Sequence, residues 1–242
     1  MERTIKELIR YKFNTISNIL ILFVLFMAMF LGLESFGIGF GISPIDMGNT
    51  MEGFIIGYFL WTIMMMIYSG ISYGIINDAS RGTLEQLNMS GINLSTIVTV
   101  RSLADLLIDI IVSIVLLFII MFTTNYYLEI KILSILPPIL IGVFSILGIG
   151  LICGGLALIF KRIQSLLNII QYFLIALLMF SPKNEFIYNL LPFRPSADNV
   201  MLIIMKGYSF NDFTIHDYGI MAGNSLLYFI IGIIIFNKSV IY

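Results

Sequence analysis

Charged residues are scarce in this sequence. They make up 11% of its 242 residues, whereas soluble domains carry about 25%. Hydrophobic residues make up 59%, and the mean hydropathy is +1.02. This composition excludes a soluble globular fold and predicts an integral membrane protein. The 13 basic and 14 acidic side chains leave a net charge of −1, which gives no basic surface for binding nucleic acid.

Cysteine and histidine are almost absent, since Cys153 and His216 are the only ones. One thiol in an apolar run supports neither a disulfide framework nor a thiolate metal site, and one imidazole does not build a histidine metal centre. We therefore expect no metal site in this chain.

The motifs of ATP binding and of common hydrolases are missing as well. A P-loop needs Gly directly before Lys-Ser or Lys-Thr, but Asn237 precedes Lys238-Ser239 here. The sequence contains neither Gly-x-Ser-x-Gly nor His-Glu-x-x-His. We expect that the chain is not an enzyme and binds no cofactor itself, so ATP-driven work would require a separate subunit.

Six apolar runs are each long enough for a transmembrane helix, which takes about 20 residues. They lie near 18–36, 53–76, 97–123, 132–160, 163–181 and 216–236. The sequence therefore predicts an all-α membrane protein with six transmembrane helices in a single domain that covers residues 1–242.

Basic residues set the predicted orientation, because cytoplasmic loops are enriched in Lys and Arg. The side that carries both termini and the segment 77–95 has the larger share. Its basic residues are Arg3, Lys6, Arg10, Lys12, Arg81, Arg101, Lys161, Arg162 and Lys238. Those of the opposite side are Lys131, Lys183, Arg194 and Lys206. We expect a multi-pass protein of the cell (plasma) membrane with both termini in the cytoplasm.

The first 17 residues are predicted to lie along the membrane surface. Apolar side chains recur at steps of three and four from Ile5 to Ile16, with charged residues on the other faces. This pattern is typical of an amphipathic helix in the headgroup plane. We expect such an interfacial helix over residues 1–17.

Residues 182–215, on the outer side, contain the two apolar pieces Phe186–Phe193 and Val200–Met205. Both pieces are too short to span a bilayer, which favours interfacial or re-entrant structure. We predict a pair of short re-entrant helices. Arg194 is expected to pair with Asp198 as a surface contact of small worth.

Pairs of glycines four residues apart occur in three of the apolar runs. They are Gly70–Gly74, Gly150–Gly154 and Gly219–Gly223. Such pairs let a second helix approach closely. The partner is either another helix of the same chain or a helix of a second subunit, and the sequence leaves both open.

The polar segment 77–95 predicts a short helix outside the membrane. Thr83 and Gln86 have the spacing of a capping box, and Ser90-Gly91 offers a C-terminal stop. Leu84 and Leu87 fall on one face. A helix of about two turns has little reason to form alone, so we expect it to dock on another protein.

Arg101, Asp105 and Asp109 share one face at the inner end of the third run, because they are spaced by four residues. Charges this close to the membrane usually face protein or water. In one interpretation, Arg101 pairs with Asp105 and the face packs against protein. In the other, Asp109 lines the inner mouth of a pathway and attracts cationic cargo.

The motif Arg81-Gly82-Thr83-Leu84-Glu85-Gln86-Leu87, between the second and third of six spans, resembles the signature of ABC-2 type exporter permeases. The resemblance extends to the amphipathic N-terminal segment and to the outer re-entrant hairpin. Gly82, Thr83, Glu85 and Leu87 match the motif, and Arg101 matches a basic position downstream. Ser80 and Ser90-Gly91 depart from it, because an acid and a Ser/Thr-Pro turn are common at those places.

The resemblance implies a transporter of two permease chains, identical or paralogous, and two nucleotide-binding ATPase subunits that hold ATP and Mg. It implies that Arg81, Gly82, Thr83, Leu84, Glu85, Gln86, Leu87 and Ser90 form a coupling helix that contacts the ATPase. The expected function is export of an amphipathic or hydrophobic cargo such as a drug, a peptide or a lipid-like molecule.

The apolar and aromatic side chains Phe59, Trp61 and Met65 are candidates for lining the cargo cavity. A secondary transporter or channel without an ATPase is the alternative function. It would require ionisable residues or broken helices near the membrane midplane. Apart from Asp105 and Asp109, close to the inner face, the apolar runs carry no ionisable side chain near the midplane.

Overall fold

The computed structural model describes residues 12–36, 51–89, 91–160, 163–180 and 182–241. Throughout these ranges the regular elements are helices. In chain order they are α1 (Lys12–Phe36), α2 (Met51–Ser80), α3 (Thr83–Asn88), α4 (Leu94–Thr124), α5 (Ile132–Ile159), α6 (Gln164–Met179), α7 (Glu185–Leu190), α8 (Arg194–Lys206) and α9 (Ile215–Ile241), with a short 3-10 turn at Phe210–Asp212 between the last two.

Each of the six predicted apolar runs forms a helix. By length and composition, α2, α4, α5 and α9 are able to cross a membrane, and two shorter apolar helices occupy Ile16–Gly32 and Gln164–Leu178. The all-helical, multi-pass class is therefore confirmed, while the number of six crossings stays a prediction. Of the predicted interfacial helix, residues 1–11 lie outside the described residues, and residues 12–17 are helical and continuous with the predicted first span in α1.

The core of the bundle is built around α2 and α5. Most of the apolar length of both helices is buried, whereas larger shares of α4 and α9 are exposed. Aromatic side chains join α1 to α2. The rings of Phe26 and Tyr58 meet edge to face, with their centroids 5.1 Å apart. The Tyr58 hydroxyl donates to the carbonyl oxygen of Leu22 at 2.6 Å, so this buried polar group is satisfied.

Helices α5 and α9 touch backbone to backbone. A Cβ atom added at Gly232 would lie 2.5 Å from the carbonyl oxygen of Gly148, and one added at Gly148 would overlap the carbonyl group of Tyr228. Only glycine permits so close an approach, because any side chain would occupy the space of the other main chain. This crossing fixes the two helices against each other.

The glycine pairs of the sequence divide into two kinds. A Cβ atom at Gly150 would lie 2.9 Å from Cδ1 of Ile71, and one at Gly154 would overlap Ile75, so this pair receives α2 within the same chain. At Gly70–Gly74 and Gly219–Gly223, none of the described atoms comes within 4 Å of an added Cβ. A role of these two pairs in a subunit interface stays a prediction.

The outer segment forms the two short helices α7 and α8, but α8 does not lie on a surface. Nine of its 13 residues are buried, and it packs against α5 and also contacts α2, α6 and α9. The prediction of a surface contact between Arg194 and Asp198 is therefore wrong, since the Arg194 side chain is 1% exposed. The pair does form, with Nε of Arg194 3.2 Å from Oδ1 of Asp198. The position of α8 relative to a membrane stays a prediction.

Candidate functional site

The segment that joins α2 to α4 carries the predicted docking element. Helix α2 continues through the polar residues 77–80, so it ends at Ser80 rather than near residue 76. The chain then turns at Arg81 and Gly82, where φ is +69°. Glycine adopts this left-handed conformation without steric cost, and the six-residue helix α3 follows directly.

The predicted capping box of α3 does not form. The N-cap position falls on Gly82, which has no side chain to accept a backbone hydrogen bond. Thr83 is therefore the first helical residue, and its hydroxyl turns back toward α2. Its Oγ1 lies 3.1 Å from the carbonyl oxygen of Asp78 and 3.3 Å from Oδ1 of the same residue. The threonine thus joins α3 to the end of α2.

Asp78 also joins α2 to α4. Nη1 of Arg101 donates to Oδ2 of Asp78 at 2.8 Å, and the side chains are 45% and 14% exposed respectively. The sequence had suggested Asp105 as the partner of Arg101. The structure shows Asp78 as a partner of Arg101, since α2 extends a further turn and brings this carboxylate beside the start of α4. The pairing of Arg101 with Asp105 stays a prediction. One carboxylate therefore contacts both α3, through Thr83, and α4.

Helix α3 has an apolar side toward its own chain and a polar side toward the surroundings. Leu84 and Leu87 are partly buried and pack against the core. Arg81, Glu85 and Gln86 are exposed. The apolar side of α3 thus packs on its own chain, and the other side exposes charged and amide groups. Such an arrangement is typical of an element that contacts a second protein.

Two exposed apolar side chains beside α3 were not singled out from the sequence. Met89 is 86% exposed and Ile92 is 57% exposed. The available signal was the occurrence of apolar residues inside an otherwise polar segment. A cleft of about 340 Å³ in the same segment is bordered by residues from α2, α3 and α4 that include Gln86 and Ile97. Exposed apolar side chains in a polar segment favour a protein partner.

The end of α3 agrees in part with the predicted stop. The helix ends at Asn88, and the Met89 N–H donates to the carbonyl oxygen of Glu85 at 3.0 Å. Gly91 has a φ of +77°, which is the left-handed conformation expected of a glycine after a helix. Ser90, the last of the predicted coupling residues, lies outside the described residues.

The acidic residues of α4 lie one and two turns beyond Arg101. Asp105 and Asp109 are both half-buried. The two interpretations of this face, packing against protein and attraction of cationic cargo, both stay predictions.

The predicted cavity residues lie on α2, inside the chain. Phe59 and Trp61 are buried, at 5% and 2% exposure, and Met65 is partly buried against the same core. Nε1 of Trp61 lies 3.5 Å from the carbonyl oxygen of Gln171 on α6. These side chains pack between helices of one chain, and their role in lining a cargo cavity stays a prediction.

No group of three His, Cys, Asp or Glu side chains is placed to hold a metal ion within the described ranges. The contacts that the structure shows around α3 are an ion pair, hydrogen bonds and apolar contacts. These interactions are suited to protein recognition.

Comparison with known proteins supplies one match. Residues 44–234 match the family described as ABC-2 family transporter protein. The matched range includes α2 to α8, with the whole segment around α3, and most of α9. No curated protein and no solved structure matches the chain. The match confirms the resemblance that the motif at residues 81–87 carried.

Proposed function

The chain belongs to the ABC-2 family of transporter proteins, and from this premise we propose that it is the membrane-spanning permease subunit of an ATP-driven exporter. A separate ATPase subunit binds ATP and Mg. A second permease chain, identical or paralogous, completes the membrane part in the cell membrane, with both termini in the cytoplasm.

The observation that carries this proposal is the set of contacts that attaches α3 to the neighbouring helices. Asp78 contacts Thr83 and Arg101, so the short helix is held between the ends of α2 and α4 while its polar side is exposed. A docking helix transmits force only if it is firmly attached to the helices that it moves. Movement of the ATPase would therefore displace α2 and α4 together with α3.

The transport cycle is a change between inward- and outward-facing states. Nucleotide binding draws the two ATPase subunits together, as in other domain closures around a ligand. The coupling helices follow, and the permeases move relative to each other. The apolar and aromatic composition of the helices suits an amphipathic or hydrophobic cargo such as a drug, a peptide or a lipid-like molecule.

The decisive experiment purifies the chain in lipid nanodiscs and measures Mg-ATP hydrolysis by the associated ATPase. We expect the substitution Met89→Asp to weaken the association, because Met89 is the most exposed apolar side chain beside α3. Burying a methionine contributes about 1.5–3 kcal/mol, which corresponds to roughly a ten- to hundredfold change in binding constant. Glu85→Ala should weaken it less.

Tyr127→Asp is the matched control, since Tyr127 is 67% exposed in the connection between α4 and α5. This variant should retain the ATPase. If no ATPase associates with the unaltered chain and cargo flux continues without ATP, the exporter proposal is refuted. The alternative of a secondary transporter or channel would then hold.

A further inference from the structure

Three side chains of α2 form polar contacts with the short helix α6. The Tyr68 hydroxyl, fully buried, donates to the carbonyl oxygen of Leu167 at 3.2 Å. The Tyr73 hydroxyl donates to Oδ1 of Asn168. Trp61 adds the contact to Gln171 described above. Together these contacts join the first half of α6 to α2.

The other end of α6 lies inside the bundle. A helix of 16 residues is about 24 Å long, whereas the hydrocarbon core of a bilayer is about 30 Å thick. The last carbonyl groups of a helix have no intrahelical partner. One of them, on Leu178, accepts a hydrogen bond from Nη1 of Arg194. The guanidinium therefore caps α6 and places a positive charge at the negative end of its dipole.

The neighbours of α8 show how deep in the bundle the contact of Arg194 with Leu178 lies. The N–H of Phe193 donates to Oγ of Ser145 at 3.2 Å, and Ser145 is halfway along the 28-residue helix α5. The turn between α7 and α8 thus reaches the middle of the bundle. Phe193 has a φ of +64° although it is not glycine, so the surrounding contacts hold this turn in an uncommon conformation.

Arg194 also holds the two short helices. Its Nη2 donates to the Tyr188 hydroxyl on α7 at 2.7 Å, and its guanidinium carbon lies 4.6 Å from the centre of the Tyr188 ring. The ion pair with Asp198 is made within α8. One side chain therefore contacts α6, α7 and α8. Separate hydrogen bonds from Asn224 and Tyr228 hold the end of α7 to α9.

We propose that Arg194 is the positioning residue that couples the α7–α8 hairpin to the coupling helix α3. Displacement of α3 is carried by the continuous helix α2 to α6 through the three polar contacts, and from the end of α6 through Arg194 to the hairpin. The hydrogen bonds from α9 hold the end of α7 in place, and the remainder of the hairpin moves relative to α9. The inference rests on the proposed function, because it requires an ATPase that displaces α3.

The test uses one reporter cysteine on α7. Cys153→Ala removes the only native thiol, and Glu185→Cys places a new one at an exposed position of α7. In the reconstituted permease–ATPase complex, the rate of labelling by a membrane-impermeant maleimide is compared without nucleotide and with Mg-ATP plus vanadate, which traps ADP and vanadate on the ATPase. We expect the rate to change with nucleotide in this reference chain.

Two variants remove the link at different points. Arg194→Met removes the cap of α6, and Tyr68→Phe with Tyr73→Phe removes two hydroxyls while it keeps both rings. Each should lose the nucleotide-dependent change in labelling while the complex still hydrolyses ATP. Lys206→Met, an exposed basic residue of the same hairpin, should keep the change.

The outcomes separate this inference from the proposed function. If both variants respond to nucleotide like the reference chain, the inference is overturned and the exporter proposal stands. If the reference chain itself forms no complex with an ATPase, both fail. If Arg194→Met does not fold, the tyrosine variant decides alone, since loss of its response supports the link and retention overturns it.

Discussion

Replacing Gly232 by alanine should destabilise the fold, whereas replacing Gly70 by alanine should leave its stability unchanged or raise it slightly. Both residues are glycines in long apolar helices. They differ in what a new methyl group would meet. At Gly232 it would lie 2.5 Å from the carbonyl oxygen of Gly148 and 2.7 Å from the Cα of that residue, and at Gly70 none of the described atoms is within 4 Å.

The size of the destabilisation at Gly232 depends on the contacted atoms, which belong to the main chain of Gly148. A main-chain oxygen cannot rotate away, so α5 and α9 must separate by about 1 Å to restore ordinary van der Waals contact. Overpacking of this kind typically costs about 1–3 kcal/mol. Alanine recovers about 0.5–1 kcal/mol over glycine in a helix. The net loss at Gly232 is therefore up to about 2.5 kcal/mol, and Gly70→Ala should show only the gain.

Cys153 provides the assay. It is the only cysteine of the chain, is 3% exposed and lies on α5 itself, so a thiol-reactive fluorogenic dye reports unfolding of this helix. Thermal unfolding in detergent should show a lower midpoint for Gly232→Ala and an equal or higher one for Gly70→Ala. If Gly232→Ala melts at or above the temperature of the unaltered chain, the close crossing of α5 and α9 is refuted.

Two further predictions use the same assay. Arg194→Met should destabilise the chain by about 3–5 kcal/mol, because it leaves the carboxylate of Asp198 buried without its partner. Arg194→Met combined with Asp198→Leu should recover most of that loss, and a double variant no more stable than the single one would contradict the buried ion pair. A double-mutant cycle of Asp78→Ala and Arg101→Ala should give a coupling free energy of only about 0.2–1 kcal/mol, because Arg101 is 45% exposed. A coupling free energy well above this range would contradict the exposed position of Arg101, because it is typical of a buried ion pair.

Features that depend on local composition could be predicted from the sequence. Hydrophobic runs mark the long helices because a bilayer requires some 20 apolar residues in succession. The motif at residues 81–87 predicted both the short helix and the family, and the family is confirmed. The choice of Gly82 as the turning residue was not predicted, because it depends on how far α2 continues past residue 76.

Features that depend on distant partners could not be predicted. The pairing of Arg101 with Asp78 joins residues 23 positions apart, and no helical spacing connects them. Arg194 lies beside a proline in a connecting segment, which is typical of a surface residue, and its burial results from the packing of α8 against α5. Gly148 and Gly232 do not form a pair four residues apart, so the spacing rule missed this backbone-to-backbone contact of α5 and α9.

The burial of Arg194 has a consequence for the order in which the chain is assembled in the membrane. In the predicted re-entrant position of α8, the guanidinium would face lipid before it reaches Leu178 and Tyr188, at a considerable cost in free energy. Those acceptors are in place only after α6 and α7 have formed, and the last hydrogen bonds of α7 require Asn224 on α9. We therefore expect the long helices to insert first and α8 to enter the bundle last. The C-terminal helix would then be needed for the maturation of a segment that is synthesised before it.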